Sequence, residues 1–137
     1  MKNKGKNALG NPGFTLVELM VVIAIIGFLA AVIVPKFFQQ IGKGQRGAAK
    51  AEVRQIEVAL GMYFADEYAY PDSLSALVPK YLPRVPKDPW KNPYYYNPAS
   101  QHSQEFDLAS FGKDGSAGGT GDNEDITNWD IQGEEGK

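Results

Sequence analysis

One stretch near the C-terminus concentrates side chains that could bind a ligand. Residues 111–130, FGKDGSAGGTGDNEDITNWD, hold five glycines and five acids. Calcium takes six to eight oxygens from carboxylates, hydroxyls and backbone carbonyls. Glycines let a loop curl so that these oxygens converge without side-chain clashes. The spacing is not that of an EF-hand, so the composition alone indicates only a generic ion-binding loop.

Two other interpretations of this loop compete with the ion site. A phosphate loop would need GK[ST] and a following apolar helix, and the acids here would repel a phosphate. A disordered linker fits the composition, but Ile126 and Trp129 follow closely and favour burial in a core.

The second candidate for chemistry is Glu18, a single acid inside an otherwise apolar run. Residues 14–34 would form a helix of about 30 Å, the thickness of the hydrocarbon core of a bilayer. An acid near the centre of a membrane helix costs about 3 kcal/mol on insertion scales, so Glu18 predicts a partner group within the membrane. A plain membrane anchor would leave this acid unexplained.

Basic residues precede the apolar run, which is the order of a secretory signal peptide. The leader MKNKGKNALGNPG carries three lysines, so the front end is expected to stay cytoplasmic. The run is longer than a usual signal core, and no polar segment with a small-x-small cleavage site follows it. The apolar segment is therefore expected to remain in the protein.

Composition limits the other functions. The chain has 137 residues and no cysteine, which leaves room for one compact domain and excludes disulfides, thiol catalysis and cysteine-based zinc sites. Residues 51–137 carry more acids than Lys and Arg, which argues against a nucleic-acid surface. The single histidine, His102, lies in a polar stretch without a catalytic motif, so we expect a solvated side chain and no enzyme activity.

The coarse secondary structure is a long helix followed by a small sheet. GKGQRG at 42–47 is expected to loosen the chain, and a helical pattern resumes at 45–67 with Val53, Ile56, Leu60 and Tyr63 on one stripe. Gly27 and Pro35 disfavour a helix interior, so this part either unwinds locally or forms a kinked continuous helix.

The later elements are shorter. Asp72 is expected to cap a short helix inside a proline-punctuated loop. Strands are predicted at 94–96, at 105–111 with Phe106 and Leu108 on one face, and at 128–131. The predicted fold class is α+β, a long N-terminal helix packed on a small three-stranded antiparallel sheet with a calcium-binding loop.

Gly13-Phe14-Thr15-Leu16-Val17-Glu18, behind its basic leader, resembles the processing site of type IV pilin-like proteins. The resemblance implies cleavage between Gly13 and Phe14 by a prepilin peptidase, which also methylates the new amine of Phe14. It further implies that Glu18 serves assembly by pairing with that amine, in its own subunit or in a neighbouring one. In related filaments the stretch between Gly27 and Pro35 loses its helical structure on assembly, and the resemblance implies the same here.

DPWKNPYYYNP, residues 88–98, resembles the major pseudopilins of type II secretion systems, which usually have glycine where Lys91 stands. The loop resembles their calcium loop: Gly112-Lys113-Asp114-Gly115, then Gly118-Gly119-Thr120-Gly121, then Asp125-Ile126. By this resemblance calcium is bound by the Asp114 and Asp125 carboxylates, with the Phe111 carbonyl, Ser116 and Asp122 as weaker choices. Glu124 and Asp130 are expected to be solvated.

The resemblance implies a structural subunit that polymerises into a periplasmic pseudopilus and drives export of folded proteins across the outer membrane. The implied partners are further copies of the chain, minor pseudopilins, the prepilin peptidase, the inner-membrane assembly platform and the secretin. The implied place is the inner membrane, crossed once, with a periplasmic head. The expected divisions are a cleaved leader at 1–13, a transmembrane and assembly helix at 14–44 and the head at 45–137, with a loop at 68–92 and the sheet and calcium loop at 93–131.

Two alternatives remain open at this point. A type IV pilin of a surface fibre for adhesion, motility or DNA uptake shares the N-terminal pattern but commonly closes its C-terminal region with a disulfide. A membrane-anchored calcium-binding module that never polymerises would share the apolar segment and the loop.

Overall fold

A computed structural model of the chain describes residues 13–102 and 104–130. Residues 1–12 of the predicted leader and the last predicted strand residue, Ile131, lie outside the described residues. The elements are helix α1 (Leu16–Glu67), a 3-10 helix (Leu74–Leu77), strand β1 (Tyr95–Asn97), strand β2 (Asp107–Ser110), a second 3-10 helix (Gly121–Asn123) and strand β3 (Ile126–Thr127). The chain divides into two compact units between Phe38 and Gln39, earlier in the chain than the predicted boundary at 44/45.

In the first unit, the described residues 13–38 are all exposed, although most are apolar. Within the described part of the chain, α1 is the one helix that is long and apolar enough to cross a membrane. It is helical at both Gly27 and Pro35, so the subunit shows no local unwinding there. Unwinding on assembly stays a prediction.

In the second unit, the expected loosening of the chain at 42–47 is wrong, because this stretch is helical. The predicted apolar stripe that follows it is confirmed: Val53, Ile56 and Leu60 are completely buried, and Tyr63 packs against them.

The helix ends at Glu67, as the sequence predicted. Tyr68 adopts a left-handed conformation with φ of 57°, and its backbone N–H donates to the Phe64 carbonyl at 2.8 Å. This single bond closes the last turn of the helix.

The predicted short helix after Pro71 is present as the 3-10 helix Leu74–Leu77, but Asp72 does not cap it. Ser73 occupies the cap position without capping through its side chain, because its hydroxyl is 2.7 Å from the hydroxyl of Ser75.

The three-stranded antiparallel sheet is confirmed, with the strands in the order β1-β2-β3. Tyr96 of β1 lies opposite Leu108, and Thr127 of β3 lies opposite Ala109. The first two strands are displaced from the predicted bounds: β1 begins one residue later than 94, and β2 is shorter than 105–111.

The third predicted strand, at 128–131, is wrong. Thr127 ends β3, and its hydroxyl accepts a hydrogen bond from the backbone of Asp130 at 3.1 Å, which starts a helical turn instead. The completely buried Asn128 continues the pairing with its side chain. Its amide accepts from Leu108 N–H at 2.9 Å and donates to the Phe106 carbonyl at 3.0 Å.

The helix stripe and the sheet share one hydrophobic core. Leu108 and Ile126 from the sheet are buried in the same cluster as Ile56 and Leu60 from α1. Burying side chains of this size stabilises the fold by about 1.5–3 kcal/mol each.

Candidate functional site

The N-terminal motif forms a reciprocal cap at the start of α1. The Thr15 hydroxyl accepts from the backbone N–H of Glu18 at 3.2 Å, and the Glu18 carboxylate accepts from the backbone N–H of Thr15 at 2.8 Å. This is a capping box, and its T-x-x-E signature is present in the sequence although it was not predicted. Glu18 therefore has a local partner in the single subunit.

Two glycines fix the path of the loop at 111–125. Gly112 has φ of 65° and Gly119 has φ of 94°. A Cβ on either one would lie 2.7 Å from backbone atoms of Asn123. The backbone at these two glycines passes so close to the backbone of Asn123 that only glycine fits.

Asp88 anchors the turn that supports the start of the loop. Its side chain is 3% exposed and accepts from the backbone N–H groups of Trp90 and Asn92 at 3.1 and 2.7 Å, and from the Ser110 hydroxyl at 2.7 Å. Asn92 in turn donates from its side chain to the Gly112 carbonyl at 2.9 Å. The Asp-Pro-Trp motif thus holds the first residues of the loop in place.

Lys91 lies in this turn with φ of 74°, a backbone conformation that residues other than glycine rarely adopt. We expect Lys91→Gly to raise the free energy of unfolding by about 0.5–1 kcal/mol, because it removes the left-handed strain at a modest cost in chain entropy. Urea unfolding measures the gain. Lys91→Ala is the matched control and should give none, and an equal gain from both variants would mean that the lysine side chain, not the backbone, is responsible.

Two predicted calcium ligands, Asp114 and Asp125, accept hydrogen bonds from backbone N–H groups of the loop. One carboxylate oxygen of Asp125 accepts from the backbone N–H of Gly118 at 2.8 Å, while the other oxygen is buried without a hydrogen-bond partner. Asp114 accepts from the backbone N–H of Ser116 at 3.2 Å. A buried oxygen without a donor is costly, so the Asp125 carboxylate calls for a further polar partner.

The other predicted ligands lie differently. The Asp122 carboxylate lies against Gly42 of α1, where a Cβ would be 2.1 Å from its oxygen. The ring of Phe111 packs against Tyr95, with their centroids 5.4 Å apart. Across residues 13–102 and 104–130, no three His, Asp or Glu side chains form a cluster that could hold a metal ion, so the acids alone do not make a site.

The loop rests on two residues of α1, Gly42 and Arg46, which we call the loop seat. The Arg46 guanidinium donates to the carbonyls of Gly121 and Glu124 at 2.8 and 2.9 Å, and it lies 3.0 Å from the Glu124 carboxylate. The Glu124 side chain is nonetheless 58% exposed, so this ion pair lies at the surface. Asp130 is exposed as well, and its carboxylate accepts from the Thr127 hydroxyl at 2.7 Å.

The His102 side chain is 45% exposed and also has two partners in the described chain. Its ring stacks on Trp129 at 3.9 Å between centroids, and its Nδ1 lies 3.0 Å from the buried Asp107 carboxylate. Burial opposes ionisation of Asp107, but hydrogen bonds from Ser100, Gln101 and His102 outweigh it and lower the pKa of this carboxyl group. These contacts join the loop after β1 to the end of the described chain.

Comparison with known proteins identifies two family matches. Residues 36–129 match the family described as "Type II secretion system (T2SS), protein G", and residues 10–34 match the prokaryotic N-terminal methylation motif. The second match covers the predicted processing site and Glu18.

Two relatives are named type II secretion system core protein G. The one from Pseudomonas aeruginosa is 42% identical over 135 residues, covering 86% of this chain and 94% of that protein. The one from Vibrio cholerae is 39% identical over 137 residues, covering 88% and 92%.

Among solved structures, the chain resembles the crystal structure of the major pseudopilin from the type 2 secretion system of enterohaemorrhagic Escherichia coli. The TM-score is 0.53 at 34% identity, covering 64% of this chain and 89% of that one. These matches support the pseudopilin interpretation over that of a surface pilin. The chain belongs to the type II secretion system protein G family, the family of the major pseudopilins.

Proposed function

We propose that the chain is the repeating subunit of a periplasmic pseudopilus, whose polymerisation drives export of folded proteins across the outer membrane. The observation that carries this proposal is the apolar segment at 14–38, helical from Leu16, whose residues are all exposed in the single subunit. Such a surface needs lipid or neighbouring helices around it, and a subunit that moves from a membrane into a filament has each in turn.

The subunit is anchored in the inner membrane by one crossing, with its head in the periplasm. The prepilin peptidase cleaves between Gly13 and Phe14 and methylates the amine of Phe14. The covalent chemistry belongs to that peptidase, and this chain acts as a structural protein rather than as an enzyme. Further partners are the minor pseudopilins, the inner-membrane assembly platform and the secretin.

Mass spectrometry of the chain purified from membranes tests this route. The expected product begins at Phe14 and carries one methyl group on its amine. A chain that keeps its leader, or one that is cut after the apolar segment, would exclude processing as a pseudopilin.

Cleavage gives Glu18 a second partner. The new amine of Phe14 is cationic and lies about one helical turn from Glu18 in sequence. In a bundle of parallel helices, an ion pair between Glu18 and the amine of a neighbour fixes the axial register, because a slipped subunit leaves both charges unpaired at low dielectric.

Calcium binds the loop in this proposal. The support is the buried Asp125 oxygen that lacks a partner and the run of glycines that frees backbone carbonyls to turn inward. Asp125 and Asp114 would supply carboxylate oxygens, with the Phe111 carbonyl and Ser116 as weaker candidates for further oxygens. Asp122 is the weakest candidate, because its carboxylate lies against Gly42. When bound, the ion would supply a cationic centre that joins separate parts of the loop.

Removing calcium is expected to destabilise the head. An ion at a hundredfold excess over its Kd stabilises a folded protein by about 2.7 kcal/mol. A chelator should therefore lower the melting temperature of the processed chain by about 10 °C or more. Asp125→Asn should remove this response, whereas Asp130→Asn, which alters an acid bonded to Thr127, should keep it. A melt that the chelator leaves unchanged would rule out the ion.

A further inference from the structure

The segment 42–47 of α1 is helical although its sequence disfavours a helix. Three of its six residues, Gly42, Gly44 and Gly47, are glycines, which are the poorest helix formers after proline. The core does not explain the helix either. Apart from Gly42, the buried residues of α1 begin at Ala49. Another interaction must hold this segment in helical form.

The contacts of the segment come from the distant 3-10 turn at 121–124. Arg46 reaches the carbonyls of Gly121 and Glu124, which lie 75 and 78 residues later in the chain. Both carbonyl bonds come from Nη1, while Nη2 faces the Glu124 carboxylate, so the planar guanidinium holds the Arg46 side chain in one orientation. Its side chain is 21% exposed, so Arg46 itself is mostly covered although the Glu124 side chain that it faces is 58% exposed.

Gly42 makes the second contact of the loop seat. It is buried, and the Asp122 carboxylate occupies the space that a side chain at this position would fill. Gly44 and Gly47 differ, because a Cβ on either would meet no atom within 4 Å. Only one of the three glycines therefore has a packing reason in the single subunit.

We infer that the turn at 121–124, docked on the loop seat, is what keeps residues 42–47 helical. The order of the loop and the order of this part of α1 are then one coupled equilibrium, and Arg46 is the positioning residue that links them. All the contacts are between protein atoms, so the coupling does not require the proposed ion. An ion that orders the loop would act on the helix through the same contacts, and that extension alone rests on the proposed function.

Hydrogen exchange of the processed full chain in detergent micelles tests the coupling. Arg46→Ala should speed the exchange of amides at 43–49 by about tenfold, because it removes the charged donor that docks the loop. Loop amides at 112–125 should also exchange faster, while core amides at 53–63 stay protected. Arg46→Lys, which keeps the charge but loses the fork, should give a smaller change of the same pattern.

A rescue variant separates helix order from loop docking. Adding Gly44→Ala and Gly47→Ala to Arg46→Ala should restore slow exchange at 43–49, because alanine favours the helix and fits at both positions. The loop should remain fast. Gly42→Ala should instead speed loop exchange, because its Cβ displaces the Asp122 carboxylate.

The inference would be overturned if Arg46→Ala speeds amide exchange in the loop at 112–125 but leaves exchange at 43–49 unchanged. If all amides of Arg46→Ala exchange fast, the Arg46→Lys variant decides the question. Faster exchange of Arg46→Lys only at 43–49 and in the loop supports the coupling. Faster exchange that also includes the core amides at 53–63 refutes it.

Discussion

Replacing Glu18 by glutamine is expected to abolish assembly of the filament while the subunit still folds, inserts and is processed. Glutamine can keep the reciprocal cap with Thr15, because a capping box accepts either residue. What it removes is the negative charge opposite the Phe14 amine of a neighbour. Leaving one charge of a buried pair alone costs about 3–5 kcal/mol. Each addition step would therefore weaken by more than about a hundredfold.

Thr15→Val is the matched control for the cap. It removes the hydroxyl that accepts from Glu18 N–H at 3.2 Å but leaves the carboxylate in place. We expect it to form filaments, since losing a cap costs only about 1 kcal/mol. Sheared filaments are counted by electron microscopy, and membrane fractions confirm insertion. Normal filaments from Glu18→Gln, or equal loss from both variants, would assign Glu18 to the cap and not to register.

Replacing Asp88 by alanine is expected to lower the free energy of unfolding by about 3–5 kcal/mol. The buried carboxylate accepts from three donors, two backbone N–H groups and the Ser110 hydroxyl. Alanine leaves all three without this acceptor; Ser110 is buried, the Trp90 and Asn92 N–H groups are part-buried, and an unsatisfied buried donor costs about 1–3 kcal/mol. The turn at 88–92 and the Asn92 contact to the loop at Gly112 would loosen together.

Chemical unfolding followed by tryptophan fluorescence measures this loss, with Ser110→Ala as the matched control. The control removes one donor and its bond, so about 1 kcal/mol is expected. A loss below about 1 kcal/mol for Asp88→Ala would show that water or a neighbouring group replaces the carboxylate.

The buried face and the end of α1 could be predicted from the sequence, because both follow from the spacing of apolar residues. The stripe of Val53, Ile56 and Leu60 repeats at helical spacing, and these residues are buried as predicted. The end of α1 at Glu67 was also predictable, because the apolar spacing stops just before Tyr70-Pro71. Local patterns of this kind reflect the burial of one helix face, which the sequence records directly.

Features that depend on distant contacts were not accessible. The glycines at 42–47 indicated a loosened chain, because propensity contains no information about the loop that docks on Gly42 and Arg46. Similarly, Asn128 looked like a strand residue, but it completes the sheet through its side-chain amide while the backbone turns away. The capping box of Thr15 and Glu18 differs from these features, because its T-x-x-E pattern is local and is present in the sequence.

The calcium set shows the same limit at the candidate site. The acids at Asp114, Asp122 and Asp125 looked equivalent by composition. The structure separates them, because Asp125 has a buried oxygen without a partner while the Asp122 carboxylate lies against Gly42. Side-chain direction in a glycine-rich loop depends on the backbone conformation of each residue, which composition does not specify.

A high-resolution cryo-electron microscopy structure of the assembled filament would show directly which group pairs with Glu18. We expect the Phe14 amine of one subunit to lie within about 4 Å of the Glu18 carboxylate of a neighbour, the distance of an ion pair. If the filament instead keeps Glu18 on Thr15 of its own subunit, with the amine bonded elsewhere, the claim that this pair sets the register is contradicted.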